Sequence, residues 1–235
     1  MRIVQLSRED HAPLRMTLPR NARFAATEHL VSLQAAEFAE AAVAYPIVFF
    51  EGPTGLTPCA LQGLQQGRNQ YVTADGSWRP HAYRPAMIRA YPFFLVEEQD
   101  GQFGVGIDAE YEGWSTVEGD RLFEDDGSPA PVLADRLELL QWCVTETPRT
   151  QEFTKELLRL RLLKQETLTV TGADGTSVAL GEYWVVDEER LQSFSLGDPL
   201  VDLIGLIVKG YLGAIHAHLI SLHHLPRLTG ELIGG

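Results

Sequence analysis

The sequence predicts an α+β protein, with an antiparallel or mixed sheet, covering helices and a long buried C-terminal helix. Three observations carry this reading. Short β-branched and aromatic runs such as Ile47-Val48-Phe49-Phe50 have the length and composition of buried strands. Paired strand-like runs flank turn signals at Asp100-Gly101 and between Gly172 and Gly175, the pattern of hairpins. Near the end, Asp202, Lys209, His216 and His223 recur every seven residues in an apolar stretch, so on a helix they form one narrow polar stripe.

In chain order, Ser32 is placed to cap a helix through the alanine-rich Leu33–Ala44, which stops near Tyr45-Pro46. The run from Ile47 to Phe50 follows as a strand. Strand-like pieces around Ala60 and Tyr71 come next, with a turn at Asp75-Gly76. Pro85 opens a single helical turn that Pro92 ends. Residues 93–97 and 102–108 then pair as a hairpin. Two helices are expected at 132–146 and 149–166, with Thr147-Pro148 as cap and first turn of the second. A further hairpin pairs Thr167–Val170 with Ser177–Val186. The final segment, 199–225, reads as a helix about 39 Å long if unbroken, apolar on three sides. Its charges and histidines interrupt it too often for a bilayer span, and a core or subunit-interface role is expected. No linker composition or repeat divides the chain, which predicts a single domain over residues 1–235.

The composition, 45% hydrophobic and 22% charged, is that of a globular protein. A net charge of −13 argues against nucleic acid and against anionic membrane surfaces, because phosphates are repelled over most of the surface. The N-terminus lacks the apolar core of a signal peptide, so cytoplasmic residence is expected, with a signal-independent export route left open. Two cysteines, Cys59 and Cys143, make no disulfide framework, and no metal-type spacing accompanies them. Neither a metal nor another cofactor is expected.

Charge is unevenly spread. Residues 97–126 hold eleven acids and one base, and Asp108, Glu110 and Glu112 alternate as on one face of a strand. EF-hand spacing is absent, and a solvated face is expected. In contrast, residues 63–94 hold four arginines and one acid. Tyr45 to Phe94 also carries 9 of the 21 aromatic residues and 6 of the 13 prolines. Arginine among aromatic rings suits a pocket for a carboxylate or phosphate. The candidate ligand residues are Arg68, Trp78, Tyr83, Arg84, Arg89 and Tyr91. Pro85 and Pro92 bracket Arg89, and Arg84 directly before Pro85 is held extended. The opposing reading is that each arginine covers apolar surface and pairs with a surface acid, contributing less than about 1 kcal/mol.

Other motifs carry little. His216 and His223 are aligned but about 10 Å apart along a helix, too far to share an ion, and His218 points to the apolar face. Gly104-x-Gly106-x-x-Ala109 matches a dinucleotide pattern, but the acidic, glycine-broken stretch after it makes no helix to face a pyrophosphate. Cys143 beside Trp142 reads as core, and Cys59 has no visible activating base.

The runs beginning at Tyr45, Ala60, Asp75 and Tyr83 resemble the bacterial SapC-like family, as do those near Asp108, Asp120, Gly181 and His216. The likeness extends over nearly the whole chain in order. It implies a soluble, single-domain protein with surface-layer or peptide-transport associations, and an accessory role near halogenase-like enzymes or outer-membrane receptors. It supplies no catalytic residue, and Ala90 stands where the family pattern has a second arginine.

Together these readings lead to a non-enzymatic binding or accessory protein for an anionic small molecule or peptide carboxylate. One alternative is an enzyme of unknown reaction using His81 or His218 as base in the same cleft. Another is a surface-layer or export-associated structural protein, which predicts an exposed apolar patch and self-association into a homo-oligomer.

Overall fold

A computed structural model describes residues 1–52, 55–97, 103–171, 177–193 and 200–233. Two compact units form, each from two separate stretches: residues 1–21 with 86–145, and residues 22–85 with 146–235. The crossings follow Asn21, Pro85 and Thr145, the last inside a helix, and no linker-like composition marks them. Antiparallel sheets and helices in both stretches make the protein α+β.

The first unit contains β1 (Ile3–Gln5), α1 (Arg8–His11), β2 (Arg15–Met16), α3 (Ala86–Ala90), β6 (Phe93–Glu97), β7 (Phe103–Asp108), β8 (Trp114–Ser115), β9 (Asp120–Arg121) and the start of α4 (Pro131–Arg159). The β6–β7 hairpin forms in the expected place, and β1 extends it on the β7 side; its turn at 100–101 lies outside the described residues. Helix α3 is the single turn expected between Pro85 and Pro92. Asp108 departs from the solvated face expected of the acidic stretch. It is buried because three donors converge on its carboxylate: the Arg2 and Glu110 amides reach Oδ1 at 3.1 and 3.0 Å, and the Tyr91 hydroxyl reaches Oδ2 at 3.1 Å.

The second unit contains β3 (Leu30–Ser32), α2 (Phe38–Ala41), β4 (Ile47–Gly52), β5 (Gly55–Leu61), the rest of α4, β10 (Leu163–Thr171), β11 (Ser177–Val186), α5 (Glu188–Ser193), α6 (Leu200–Val208), α7 (Tyr211–Ser221) and α8 (Leu225–Ile233). Its antiparallel sheet has the order β10-β11-β4-β5-β3. Phe38, Tyr45, Phe49, Tyr71, Phe153, Ile215 and Leu228 lie in one buried cluster with it. Phe38 meets Phe153 edge-on at 5.9 Å, a geometry that suits the ring quadrupoles.

Three local expectations change. Ser32 is consumed by the sheet, where it pairs with Cys59, so the helix starts later. Gln34 and Glu37 form the capping box there, with Gln34 N donating to Glu37 Oε2 at 2.9 Å, and only a 3₁₀ turn and α2 follow. The two helices expected around Thr147-Pro148 are one, α4, with Pro148 inside it. An interior proline costs about 3 kcal/mol. Burial of Phe153 and Leu157 on the following turns, each contributing about 1.5–3 kcal/mol, offsets that. The C-terminal segment is helical as expected but bends by 90° after α6, where Gly210 takes the left-handed conformation (φ 73°). Beyond the bend, His216 and His223 face solvent, while Ile215 and His218 are buried.

Candidate functional site

The arginine-rich segment folds around a tight turn in the second unit. Val72 bridges to Trp78, Thr73 N donates to Ser77 O at 2.9 Å, and Arg79 N donates to Tyr71 O at 2.8 Å. Gly76 provides the positive φ of 88° that the turn requires. Asp75, the one acid of the segment, is engaged within the turn. Its carboxylate accepts from the Thr73 hydroxyl, and from Ser77 Oγ at 2.9 Å and Ser77 N at 3.2 Å. Those bonds lower its pKa, the Thr73 bond most.

This turn sets Arg79 beside Tyr71, with the guanidinium 5.3 Å from the ring centre. Arg227, on α8, stands 5.6 Å from the same centre and donates through Nη2 to the Tyr71 hydroxyl at 2.9 Å. Leu228, fully buried next to Arg227, anchors that helix. Tyr71 is itself fully buried, packed edge-on against Tyr45 at 4.5 Å. Arg84 lies 5.4 Å from the Trp78 ring centre, and Trp78 Nε1 donates to Ala82 O at 3.2 Å. The Tyr45 hydroxyl donates to the Tyr83 carbonyl, and the Tyr83 hydroxyl donates to the buried Glu37 at 3.0 Å. Burial pushes the Tyr45 pKa up, and nearby Tyr71 adds to this; Trp78 and Arg84 act the other way. Tyr45 is therefore a neutral hydroxyl at physiological pH.

Of the six residues expected from sequence, Trp78, Tyr83 and Arg84 meet in this cluster. Arg68 is exposed in the loop after Gly63, and Arg89 and Tyr91 belong to the first unit. Tyr91 is buried there against Tyr111 at 5.4 Å. Tyr45, Tyr71, Arg79, Arg227 and Glu37 complete the cluster. Arg79 was visible within the arginine run, but nothing local to Arg227 signals a contact made 156 residues away.

Chemically, the cluster offers three guanidinium groups laid against aromatic rings. Each cation–π contact contributes about 0.5–1 kcal/mol when exposed and about 2 kcal/mol when desolvated. A guanidinium drawn to a ring can still offer other N–H groups to carboxylate or phosphate oxygens, although Arg227 already gives Nη2 to the Tyr71 hydroxyl.

Of the remaining candidates, His218 and Cys59 are buried and His81 is exposed. His218 is fully buried in the second unit, 5.3 Å from the Phe49 ring, and its Nε2 accepts from Val186 N at 2.9 Å. Burial pulls its pKa down to about 3, with the Ile47 backbone opposing weakly, so it does not carry protons near neutral pH. His81 is exposed, with a left-handed backbone (φ 62°). Burial pushes the Cys59 thiol up to about 11, opposed by a bond to Ser32, and keeps it protonated. Among the described residues, no group of three His, Cys, Asp or Glu side chains is arranged to hold a metal. No single described helix is long and apolar enough to cross a membrane.

Within the first unit lies a cavity of about 520 Å³, lined among others by Arg15, Arg121 and Arg136 and by Asp120, Glu124 and Asp135. Two of its arginines have acidic or carbonyl partners, while Arg136 Nε is buried without a hydrogen-bond partner. Arg121 Nη1 is 2.8 Å from Asp125 Oδ1, and Arg15 Nη1 donates to Gly119 O at 3.0 Å.

No curated protein and no solved structure matches the chain. The model of one family, described as SapC, matches residues 6–228, and the chain belongs to that family.

Proposed function

We propose that this member of the SapC family is a non-enzymatic binding or accessory protein. It recognises an anionic small molecule or a peptide carboxylate on the arginine–aromatic cluster of its second unit. One observation carries the reading: Arg79, Arg84 and Arg227 are all held against the rings of Tyr71 and Trp78, in a chain whose net charge is −13. A positive site on an acidic background attracts anions locally while the rest of the surface repels polyanions such as nucleic acid. The same reading places the protein in the cytoplasm, as an accessory to peptide-transport, surface-layer, halogenase-like or outer-membrane receptor systems.

The test is calorimetry with a short peptide bearing a free C-terminal carboxylate, its amidated counterpart, and inorganic phosphate. Arg84→Ala and Arg227→Ala are compared with the unaltered protein. Binding of the carboxylate peptide or phosphate, but not the amide, with about tenfold weakening in each variant, supports the proposal; tenfold corresponds to about 1.4 kcal/mol. No binding at millimolar concentration, or an affinity in both variants equal to that of the unaltered protein, contradicts it.

A further inference from the structure

Strand β10 forms one edge of the five-stranded sheet, and among the described residues it pairs with β11 alone. The direction of its backbone groups follows from two contacts. Leu163 stands opposite Val186, and just before the strand Asp187 N donates to Leu162 O at 2.8 Å. Bonding alternates along an antiparallel ladder, so Lys164 and Glu166 turn their N–H and C=O groups toward β11, while Leu163, Gln165 and Thr167 turn theirs outward. Val186 agrees with this, since its N–H points away from β10 and reaches His218 Nε2. A row of outward donors and acceptors on an edge is a template for one more strand.

The side chains between those outward groups say which strand it is. Lys164 and Glu166 rise from one face, with Nζ 3.0 Å from Oε1, and stay 48% and 44% exposed. Lay a second β10 antiparallel to the first, about a two-fold axis at Gln165. The outward groups then meet as Leu163 with Thr167, Gln165 with Gln165, and Thr167 with Leu163, each pair exchanging two N–H···O bonds. Between them Lys164 of each copy falls directly opposite Glu166 of the other, at positions where opposed Cα atoms are about 4.5 Å apart and side chains approach most closely. The bond within each strand survives, because the four charges alternate around a square. Moving the axis to residue 164 or 166 also suits the backbone, but sets lysine against lysine or glutamate against glutamate. A lone edge lysine guards against pairing. Lysine with glutamate two positions on makes the strand complementary to itself, as a two-fold interface requires.

We infer that β10 is the contact between two copies of this chain, joined edge to edge in the register centred on Gln165, with Lys164 of each facing Glu166 of the other. The two sheets then run on as one. The seam is short: five residues of strand span about 17 Å. The dimer is accordingly concentration-dependent and dissociates on dilution.

Sedimentation velocity of the full chain from about 1 to 500 µM tests this, with circular dichroism as the check on folding. Gln165→Pro removes an N–H that points outward, a place where an edge strand tolerates proline, so the variant should fold and stay monomeric. Register is tested by charge, without proline. Lys164→Glu and Glu166→Lys each set like charges opposite one another twice, and each should weaken the dimer about tenfold. An equimolar mixture of these two variants should regain the affinity of the unaltered protein as a mixed dimer, since glutamates of one copy then face lysines of the other. Neither variant has the ion pair within its own strand, so a merely structural role for that pair would not give this rescue. A monomer at every concentration, a dimer indifferent to Gln165→Pro, or a mixture no tighter than its components overturns the inference.

Discussion

Both units gather arginines, with different neighbours. In the first, Arg15, Arg121 and Arg136 line a cavity together with Asp120, Glu124 and Asp135, and Arg121 is bonded to Asp125. In the second, Arg79, Arg84 and Arg227 lie near the rings of Tyr71 and Trp78, in a cluster whose acid, the buried Glu37, accepts from the Tyr83 hydroxyl, and the Asp75 carboxylate is engaged by Thr73 and Ser77. A guanidinium beside a carboxylate has its charge offset. A ring attracts the cation through its quadrupole and does not itself neutralise it. On the proposed reading, what each guanidinium touches matters more than how many there are.

The comparison breaks most readily at Tyr71. Tyr71→Leu removes the ring from under two guanidiniums and the hydroxyl that bonds Ala44 O. A stability loss of about 3 kcal/mol is expected, in line with other large truncations in packed cores. Urea unfolding measures it, and a loss below about 1 kcal/mol would show that Tyr71 does not organise the cluster.

Acid should distinguish the units next. His218, in the core of the second unit, has a folded pKa of about 3 against 6.5 when unfolded. Above pH 6.5 both states are neutral and the stability is fully present. Below 6.5 the unfolded state takes up the proton first, so stability falls by about 1.4 kcal/mol for each pH unit down toward pH 3. Hydrogen exchange at pH 5 should show the Val186 and Ile47 amides losing protection before those of β6 and β7. His218→Phe should flatten that pH slope, at the expense of the acceptor for Val186 N–H. An unchanged slope in the variant would reject this assignment.

A comparable effect is expected at Gly63, where a Cβ would sit 1.9 Å from the Arg68 carbonyl oxygen. Gly63→Ala should destabilise by about 1–3 kcal/mol, as overpacking does, and a thermal melt reports it. The smallest effect sharpens the comparison from the other side. Arg121→Ala in the first unit should change carboxylate binding less than twofold, against about tenfold for Arg227→Ala; calorimetry that finds the two alike removes the distinction.

Much of the fold was legible wherever neighbouring residues decide the outcome. The hairpins follow from alternation and turn residues, and the single turn of α3 follows from Pro85 and Pro92. Where distant packing decides, local signals misled. Pro148 argued for a break that Phe153 and Leu157 override by burial, and Ser32 looked like a cap although Cys59 draws it into the sheet. The seven-residue polar stripe of the C-terminal segment was real but said nothing of the 90° bend, beyond which Ile215 is buried. For the site, Trp78, Tyr83 and Arg84 were readable because they are close in sequence. Tyr71 looked like one aromatic among many until Arg227 arrived from the far end of the chain.

The most direct measurement follows the arginine side chains themselves. In an NMR titration with a carboxylate peptide, the Nε–Hε resonances of Arg79, Arg84 and Arg227 should shift together and saturate with one affinity, while those of Arg15, Arg121 and Arg136 stay in place. Shifts confined to the first-unit arginines, or none at all, would contradict the assignment of anion recognition to guanidiniums carried on rings.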